Sequence, residues 1–129
     1  MDRPALGMLV LRVFAGLSLA LAHGLGKVPP SAKFIEGVAS MGFPLPTVFA
    51  WASGIAELGG GVLLALGLFT RPAAALIVAN MAVAVVVRHA GDPFGNRELA
   101  LLYGVIALLF LLAGPGRYSV DERRGGQGA

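Results

Sequence analysis

The chain has 129 residues, of which 57% are hydrophobic and only 13% are charged. Soluble domains carry about 25% charged residues, so this composition excludes an ordinary soluble fold and indicates one small membrane domain. The net charge is +3, but the ten Lys and Arg are scattered between hydrophobic segments. This scatter argues against nucleic acid as a partner and favours contact with anionic lipid headgroups. The chain has no cysteine, so a redox role would depend on a cofactor or a partner protein.

Four apolar runs divide the chain, and they cover residues 6–28, 46–69, 72–87 and 99–113. Because a membrane-spanning helix needs about 20 apolar residues, the pattern predicts an all-α bundle of four transmembrane helices. The last two runs are shorter, so we expect each to extend by one turn, to Arg88 and Glu98, whose charges can reach the headgroups. Arg12 interrupts the first run, which favours a retained span over a cleaved signal peptide.

The loop between the first two spans predicts a short amphipathic helix that is capped by Ser31 and runs to Met41. We expect this helix to lie on the membrane surface or to cover the mouth of the bundle; an ordinary ordered loop is the alternative. Residues 1–118 then form the membrane domain. Residues 119–129 are polar and rich in glycine, and their composition predicts a disordered tail.

Four spans place both termini and the turn at residues 70–72 on the same side of the membrane. That side holds five arginines, and the other side holds four Lys or Arg. The excess slightly favours termini in the cytoplasm. Thr70 is the expected cap of the third span, because Pro72 then falls in the first helical turn.

Six polar residues in or near the spans are the candidate ligand-binding residues. They are Arg12, His23, Lys27, Glu57, Asn80 and Glu98. A charged side chain at the centre of a span costs about 2.5–3.5 kcal/mol, so each needs a partner or a function. Arg12 and His23 are eleven residues apart, so on an α-helix their side chains point in directions that differ by only about 20°. With Lys27 one turn further on, these residues share a face that is expected to point into the bundle.

Glu57 lies near the middle of the second span, and antiparallel packing predicts an axial offset of about 7.5 Å from Arg12. An Arg12–Glu57 ion pair is therefore expected, with Asn80 at a similar depth on the third span. The alternative is structural: the pair fixes the register of the helices, and Asn80 holds two of them together. The small residues Gly16, Ala20 and Gly24, together with three glycines at 59–61, predict close helix crossings.

Several short segments, in this order and spacing, resemble the DoxX family over about residues 6–121. They are Leu11-Arg12, His-Gly-Leu-Gly-Lys at 23–27, Glu-Leu-Gly-Gly-Gly at 57–61, Leu-Gly-Leu-Phe-Thr-Arg at 66–71, Asn80-Met81, Glu-Leu-Ala-Leu-Leu-Tyr at 98–103 and Gly-Pro-Gly-Arg-Tyr-Ser at 114–119. The resemblance implies a four-helix protein of a bacterial or archaeal inner (plasma) membrane. Some members of the family are small subunits of a thiosulfate:quinone oxidoreductase, and others are associated with membrane redox assemblies.

Three hypotheses about function follow. The first is a small membrane subunit of a redox assembly that interacts with a quinone; it would not be a complete enzyme alone, and its electrons would come from a partner. The second is a scaffold or stability factor without a ligand of its own. The third is a carrier of a small solute or lipid, which would need two copies of the chain to form a pathway. The expected partners are the lipid bilayer, a redox subunit and a second copy of the chain.

Overall fold

The structure is a computed structural model that describes residues 2–125, and within these residues it is built from helices without strands. The α-helices, in chain order, are α1 (Arg3–Ser18), α2 (Ala32–Ser40), α3 (Pro46–Leu66), α4 (Thr70–Val83), α5 (Phe94–Ala113) and α6 (Val120–Arg123). The helix α1 continues through a π-helical segment, Leu19–Gly24, and a 3₁₀ turn, Leu25–Lys27. A second π-helical segment, Ala84–Arg88, extends α4.

Four of these helical stretches are long and apolar enough to cross a membrane, as the sequence predicted. They are Arg3–Lys27, Pro46–Leu66, Thr70–Arg88 and Phe94–Ala113. The third stretch includes Arg88, one residue beyond its apolar run, and the fourth begins at Phe94, so it extends by more than one turn through Glu98. We call the end of the bundle with residues 2–5, 67–70 and 114–125 the terminal end. The opposite end, with residues 28–45 and 89–93, is the loop end.

The first and second spans cross at backbone contact. A Cβ atom added to Gly16 would lie 2.5 Å from the carbonyl oxygen of Gly61, and one added to Gly61 would lie 2.6 Å from the carbonyl oxygen of Gly16. Neither backbone can move away cheaply, because both are held in helices. The predicted series of small residues therefore serves this crossing. It also sets the register of the two spans: Gly24 meets the backbone of Leu58, so Glu57 lies at the level of Gly24.

The remaining interior is apolar and is formed mainly by α4 and α5 against the first span. Leu19, Ile77 and Phe110 are almost completely buried in one cluster. The outer face of α5 is exposed, since only 11% of its most apolar stretch is buried inside the protein. A surface of this kind is compatible with lipid rather than water.

The predicted helix in the first loop is present as α2. The Ser31 hydroxyl accepts a hydrogen bond from the Phe34 amide at 3.1 Å, and the last helical residue is Ser40. Val38 is only 3% exposed, and the Lys27 ammonium lies 5.2 Å from the centre of the Phe34 ring. The helix therefore packs on the loop end of the bundle with its apolar face inward.

The segment after α5 folds back onto the terminal end instead of leaving the bundle. Gly114 ends α5, and residues 115–119 lead to the short helix α6. The Asp121 carboxylate accepts hydrogen bonds from the Phe69 amide at 2.9 Å, the Thr70 amide at 2.9 Å and the Thr70 hydroxyl at 2.8 Å. Asp121 thus satisfies the free amides at the start of α4, which the sequence had assigned to Thr70. We call residues 115–121 the C-terminal clasp.

Residues 119–125 are therefore ordered on the bundle, where composition predicted a disordered tail. Asp121 is 3% exposed, and its amide donates to the carbonyl of Gly67 at 2.8 Å. A buried carboxylate with several donors holds the segment, and polar composition alone does not reveal such a partner. The rest of the predicted tail, residues 126–129, lies outside the described residues.

The crossing of α1 and α3 leads to the first prediction. We expect Gly16→Ala to lower the free energy of unfolding by about 1–3 kcal/mol, because its methyl group meets backbone atoms that cannot yield. Gly7→Ala is the matched control on the same helix, since nothing lies within 4 Å of its added Cβ. It should be neutral or slightly stabilising. Thermal unfolding in detergent, followed by circular dichroism, compares the two. Equal losses in both variants would contradict the crossing.

The C-terminal clasp leads to the second prediction. Burial of Asp121 opposes its ionisation, but the hydrogen bonds from Thr70 and Phe69, with the charge of Arg124, outweigh this and hold the pKa of Asp121 below its ordinary value. The ionised carboxylate therefore stabilises the fold above its unfolded pKa of about 3.9, and this contribution is lost as the pH falls through the lower folded pKa.

We expect Asp121→Ala to lower the free energy of unfolding by about 1–2 kcal/mol at neutral pH. The difference from the unmodified protein should shrink as the pH falls below about 4, because Asp121 is then protonated in the unfolded chain, and at still lower pH in the folded protein too. Glu122→Ala, at the exposed neighbouring position, is the control and should change little. Unfolding in detergent over a pH series measures both. A loss for Asp121→Ala that stays constant with pH would contradict this role.

Candidate functional site

The centre of the site is Glu57, which is 5% exposed and lies between two donors from different spans. The Lys27 ammonium donates to Oε1 at 2.7 Å, and the Asn80 side-chain amide donates to Oε2 at 2.9 Å. Both carboxylate oxygens are thus paired, which is what makes a charge tolerable in an apolar bundle. Lys27 keeps 30% of its side chain exposed, so the pair reaches from the interior toward the loop end.

Glycines bring Lys27 to Glu57. A Cβ on Gly54 would lie 2.7 Å from the carbonyl oxygen of Lys27, and Gly24 touches the backbone of Leu58 in the same way. The end of the first span therefore lies directly on α3. The π-helical and 3₁₀ turns there change the direction of the Lys27 side chain from that of a regular α-helix. The flexible stem of lysine covers the remaining distance.

A cavity of about 280 Å³ lies beside this network, between α2, α3 and the third span. We call it the apolar cavity, because most of its walls are hydrocarbon. Its lining residues are Lys27, Phe34, Val38, Met41, Phe43, Phe49, Ala52, Ser53, Ala56, Glu57, Leu76, Ala79, Asn80, Val83, Ala84 and Arg88. Ala52, Leu76 and Ala79 are exposed on the outer surface of the bundle, so the cavity borders the lipid.

A second cavity, of about 350 Å³, lies on the other side of Glu57. We call it the polar cavity. Its lining residues are Leu19, His23, Lys27, Phe34, Glu57, Met81, Ala84, Arg88, His89, Asn96, Leu99, Ala100 and Tyr103. Within it the His23 ring packs edge-on against Tyr103, with ring centres 5.6 Å apart. At the loop end, His89 Nδ1 lies 2.9 Å from the Asp92 carboxylate. Five residues line both cavities: Lys27, Phe34, Glu57, Ala84 and Arg88.

The structure brings together four of the six predicted site residues. Lys27, Glu57 and Asn80 form the hydrogen-bonded network, and His23 lines the polar cavity next to it. Glu98 is exposed and lines neither cavity. Among residues 2–125, no group of three or more His, Cys, Asp or Glu is placed to hold a metal ion.

The expected Arg12–Glu57 pair is wrong. Arg12 is 1% exposed and donates instead to the C-terminal clasp, through Nη1 to the Pro115 carbonyl at 2.6 Å and Nη2 to the Tyr118 carbonyl at 2.9 Å. The glycine contacts explain the error, because they place Glu57 level with Gly24, twelve residues beyond Arg12. That separation is roughly 18 Å along the helix axis, too far for an arginine side chain to cover. Arg12 therefore has a structural role at the terminal end.

Sequence reasoning missed the partner of Glu57. The spacing of Lys27 from the glycines of the first span was a usable signal, because Gly16, Ala20 and Gly24 mark the line of contact with α3. Lys27 follows Gly24, the last of these residues, by three positions in the sequence.

The fold and this site define a multi-pass integral membrane protein with four spans and a buried charged network around Glu57. The family model named DoxX matches residues 7–90, and the chain belongs to the DoxX family. This confirms the resemblance inferred from the sequence.

Three relatives cover nearly the whole chain. The Escherichia coli inner membrane protein YphA is 32% identical over 94% of this chain and 91% of its own. The Mycobacterium tuberculosis membrane protein Rv3486 is 32% identical over 90% of this chain and 80% of its own. A Bacillus subtilis protein named "Putative oxidoreductase CatD" is 32% identical over 90% of this chain and 85% of its own. No solved structure matches the chain significantly.

The charged network leads to the third prediction, a double-mutant cycle. Lys27→Met leaves the Glu57 charge without its cation, and Glu57→Gln leaves Lys27 free to turn toward the loop end. We expect Lys27→Met to cost more stability than Glu57→Gln, and the double variant to recover part of the loss. The coupling energy should be about 1–3 kcal/mol. Unfolding in mixed detergent micelles measures all four proteins.

Lys33 and Glu36 form the control cycle, because they are exposed and three residues apart on α2. Their coupling should stay within about 0.5 kcal/mol. If the Lys27–Glu57 coupling is no larger than that of the control, then the buried pair does not stabilise the fold.

Proposed function

We propose that this protein is a small inner-membrane subunit of a redox assembly, and that it binds the headgroup of a quinone in the apolar cavity. The observation that carries the proposal is a buried carboxylate with two donors at the inner wall of a cavity that borders the lipid. Ligand sites in proteins commonly combine apolar walls with a few converging polar groups.

The donors in this wall suit the two carbonyl oxygens of a quinone. A lysine ammonium has three hydrogens and an asparagine amide has two, and Glu57 uses one of each. The hydrogens that remain on Lys27 and Asn80 are available to acceptors in the cavity. The Arg88 guanidinium lines the same cavity and adds further donors.

The size and position of the cavity also suit such a ligand. At about 280 Å³ the cavity lies near the lower limit of about 300 Å³ for small-molecule sites, so it suits a single ring and not a larger cofactor. Ala52, Leu76 and Ala79 at its outer edge leave space for an isoprenoid tail to continue into the lipid. The aromatic rings of Phe43 and Phe49, whose centres are 4.9 Å apart, add a surface against which a flat ring packs.

The chemistry of such a subunit is divided between two proteins. Reduction of a quinone to a quinol takes up two electrons and two protons. The electrons would come from the partner redox subunit, and Glu57 is the group of this chain that is placed to give protons to a quinone oxygen. The name of the Bacillus subtilis relative supports a redox role. The names of the Escherichia coli relatives support the inner membrane.

We place both termini in the cytoplasm. The terminal end carries Arg3, Arg71 and the arginines at 117, 123 and 124, and the loop end carries Lys27, Lys33, Arg88 and Arg97. The larger number at the terminal end supports this orientation. In it, both cavities face the loop end, away from the cytoplasm.

The fourth prediction tests the ligand. Native mass spectrometry of the protein released from bacterial membranes should show bound quinone, identified by lipid extraction. In nanodiscs, we expect Asn80→Leu and Lys27→Met to weaken binding of decylubiquinone about five- to thirtyfold, because each removes a donor to a carbonyl oxygen, worth about 1–2 kcal/mol. Glu98→Gln, outside both cavities, is the control and should bind as the unmodified protein does.

Equal binding by all variants would place the ligand elsewhere. If no quinone copurifies and none binds, but the protein is isolated with a stable partner, then the network serves folding and the chain is a scaffold subunit.

A further inference from the structure

Glu57 lies in the wall between two cavities of different chemistry. The apolar cavity reaches it from the side of α2 and the lipid, and the polar cavity reaches it from the side of α5. One carboxylate oxygen is bonded to Asn80, which lines only the apolar cavity. The other is bonded to Lys27, which lines both. A carboxyl group in this position is accessible from two sides.

We propose that the polar cavity is a hydrated path that carries protons from the loop end of the bundle to Glu57. The existence of the path does not depend on the ligand in the apolar cavity. Its use, to resupply protons for quinone reduction, rests on the proposed function.

The polar cavity is large enough to hold water, and seven of its lining side chains are polar, although most of its lining is apolar. Each water molecule occupies about 30 Å³ in the liquid and needs two to four polar partners in a protein, and this cavity measures about 350 Å³. Its polar groups come from every span. The first span gives His23 and Lys27, α3 gives Glu57, the third span with its following turn gives Arg88 and His89, and α5 gives Asn96 and Tyr103. A cavity of the same volume with hydrocarbon walls would stay dry.

The mouth of this path lies at the loop end, next to His89. His89 follows the last residue of the third span and is paired with Asp92, whose side chain is 40% exposed. His89 also lines the polar cavity, so one imidazole connects the aqueous surface with the interior. An imidazole ring has two nitrogens that can donate or accept a hydrogen bond, which suits a group at the entrance of a proton path. His23 lies further in, on the first span.

The proton step begins with the carboxylate form of Glu57, which Lys27 and Asn80 hold by hydrogen bonds. A proton that enters through the polar cavity first binds Glu57. When the partner redox subunit passes an electron to the quinone, the O–H bond of Glu57 breaks and an O–H bond forms on the quinone oxygen, so Glu57 is again the carboxylate paired with Lys27. A second electron and a second proton, taken up in the same way, complete the quinol.

Two alanines allow each cavity to be filled separately. Ala100 lines only the polar cavity, and Ala79 lines only the apolar cavity. Solid-state NMR of the protein in nanodiscs, with ¹³C-labelled glutamate and without quinone, measures the transfer of magnetisation from water to the Glu57 carboxyl carbon. The signal is assigned by its loss in Glu57→Gln.

We expect Ala100→Leu to slow this transfer several-fold and Ala79→Leu to leave it unchanged. Asn96→Leu provides a second block, because Asn96 lines only the polar cavity and is exposed, so its substitution is well tolerated in folding. It should also slow the transfer. The proposal is overturned if transfer is unaffected by both blocks, or if Ala79→Leu slows it as much as Ala100→Leu does.

Binding of decylubiquinone to the same variants separates this inference from the proposed function. Ala100→Leu should bind quinone normally, and Ala79→Leu should not. If Ala100→Leu slows the transfer from water to Glu57 but the unmodified protein binds no quinone, the proton path is supported and the proposed ligand is wrong. If quinone binds at Glu57 but the two blocks leave its hydration unchanged, the ligand stands and the path is wrong.

Discussion

The contact between Gly16 and Gly61 determines the positions of the other functional parts of this molecule. Because two helical backbones meet there, the first span and α3 can adopt only one register, with Gly24 at Leu58 and Lys27 at Gly54. That register carries Arg12 to the terminal end and Lys27 to the level of Glu57. It therefore decides which cation pairs with the buried carboxylate, and it leaves the space on both sides of that carboxylate in which the cavities lie.

Two buried charged groups of the first two spans are satisfied in different ways. Arg12 donates through Nη1 and Nη2 to carbonyl groups of a turn, while its buried Nε has no hydrogen-bond partner among the described residues, and Arg12 lines neither cavity. Glu57 is held by two side chains that keep further hydrogens available, and it borders both cavities. Hydrogen bonds therefore offset the cost of burying a charge at both ends of the bundle. Only the network around Glu57 is also accessible to a ligand or to water.

The amino-acid sequence was sufficient for the four spans, the surface helix α2 and the family, because these depend on hydrophobic periodicity, local capping and ordered short segments. It also placed Lys27, Glu57 and Asn80 among the candidates, since a polar residue inside a span is conspicuous. The pairing of Arg12 was wrong because the offset of two helices depends on which glycines touch, and that is a property of packing. The role of Asp121 was missed for a related reason: its partners, at 69 and 70, are about fifty residues away in the chain.

The C-terminal clasp has a consequence for biosynthesis. The acceptors of Arg12, at Pro115 and Tyr118, are 103 and 106 residues further along the chain. The first span therefore enters the membrane with an unpaired cation, which is paired only after the fourth span and the clasp have been made. A nascent chain that ends before the clasp carries this cation as a defect that quality-control proteases can recognise.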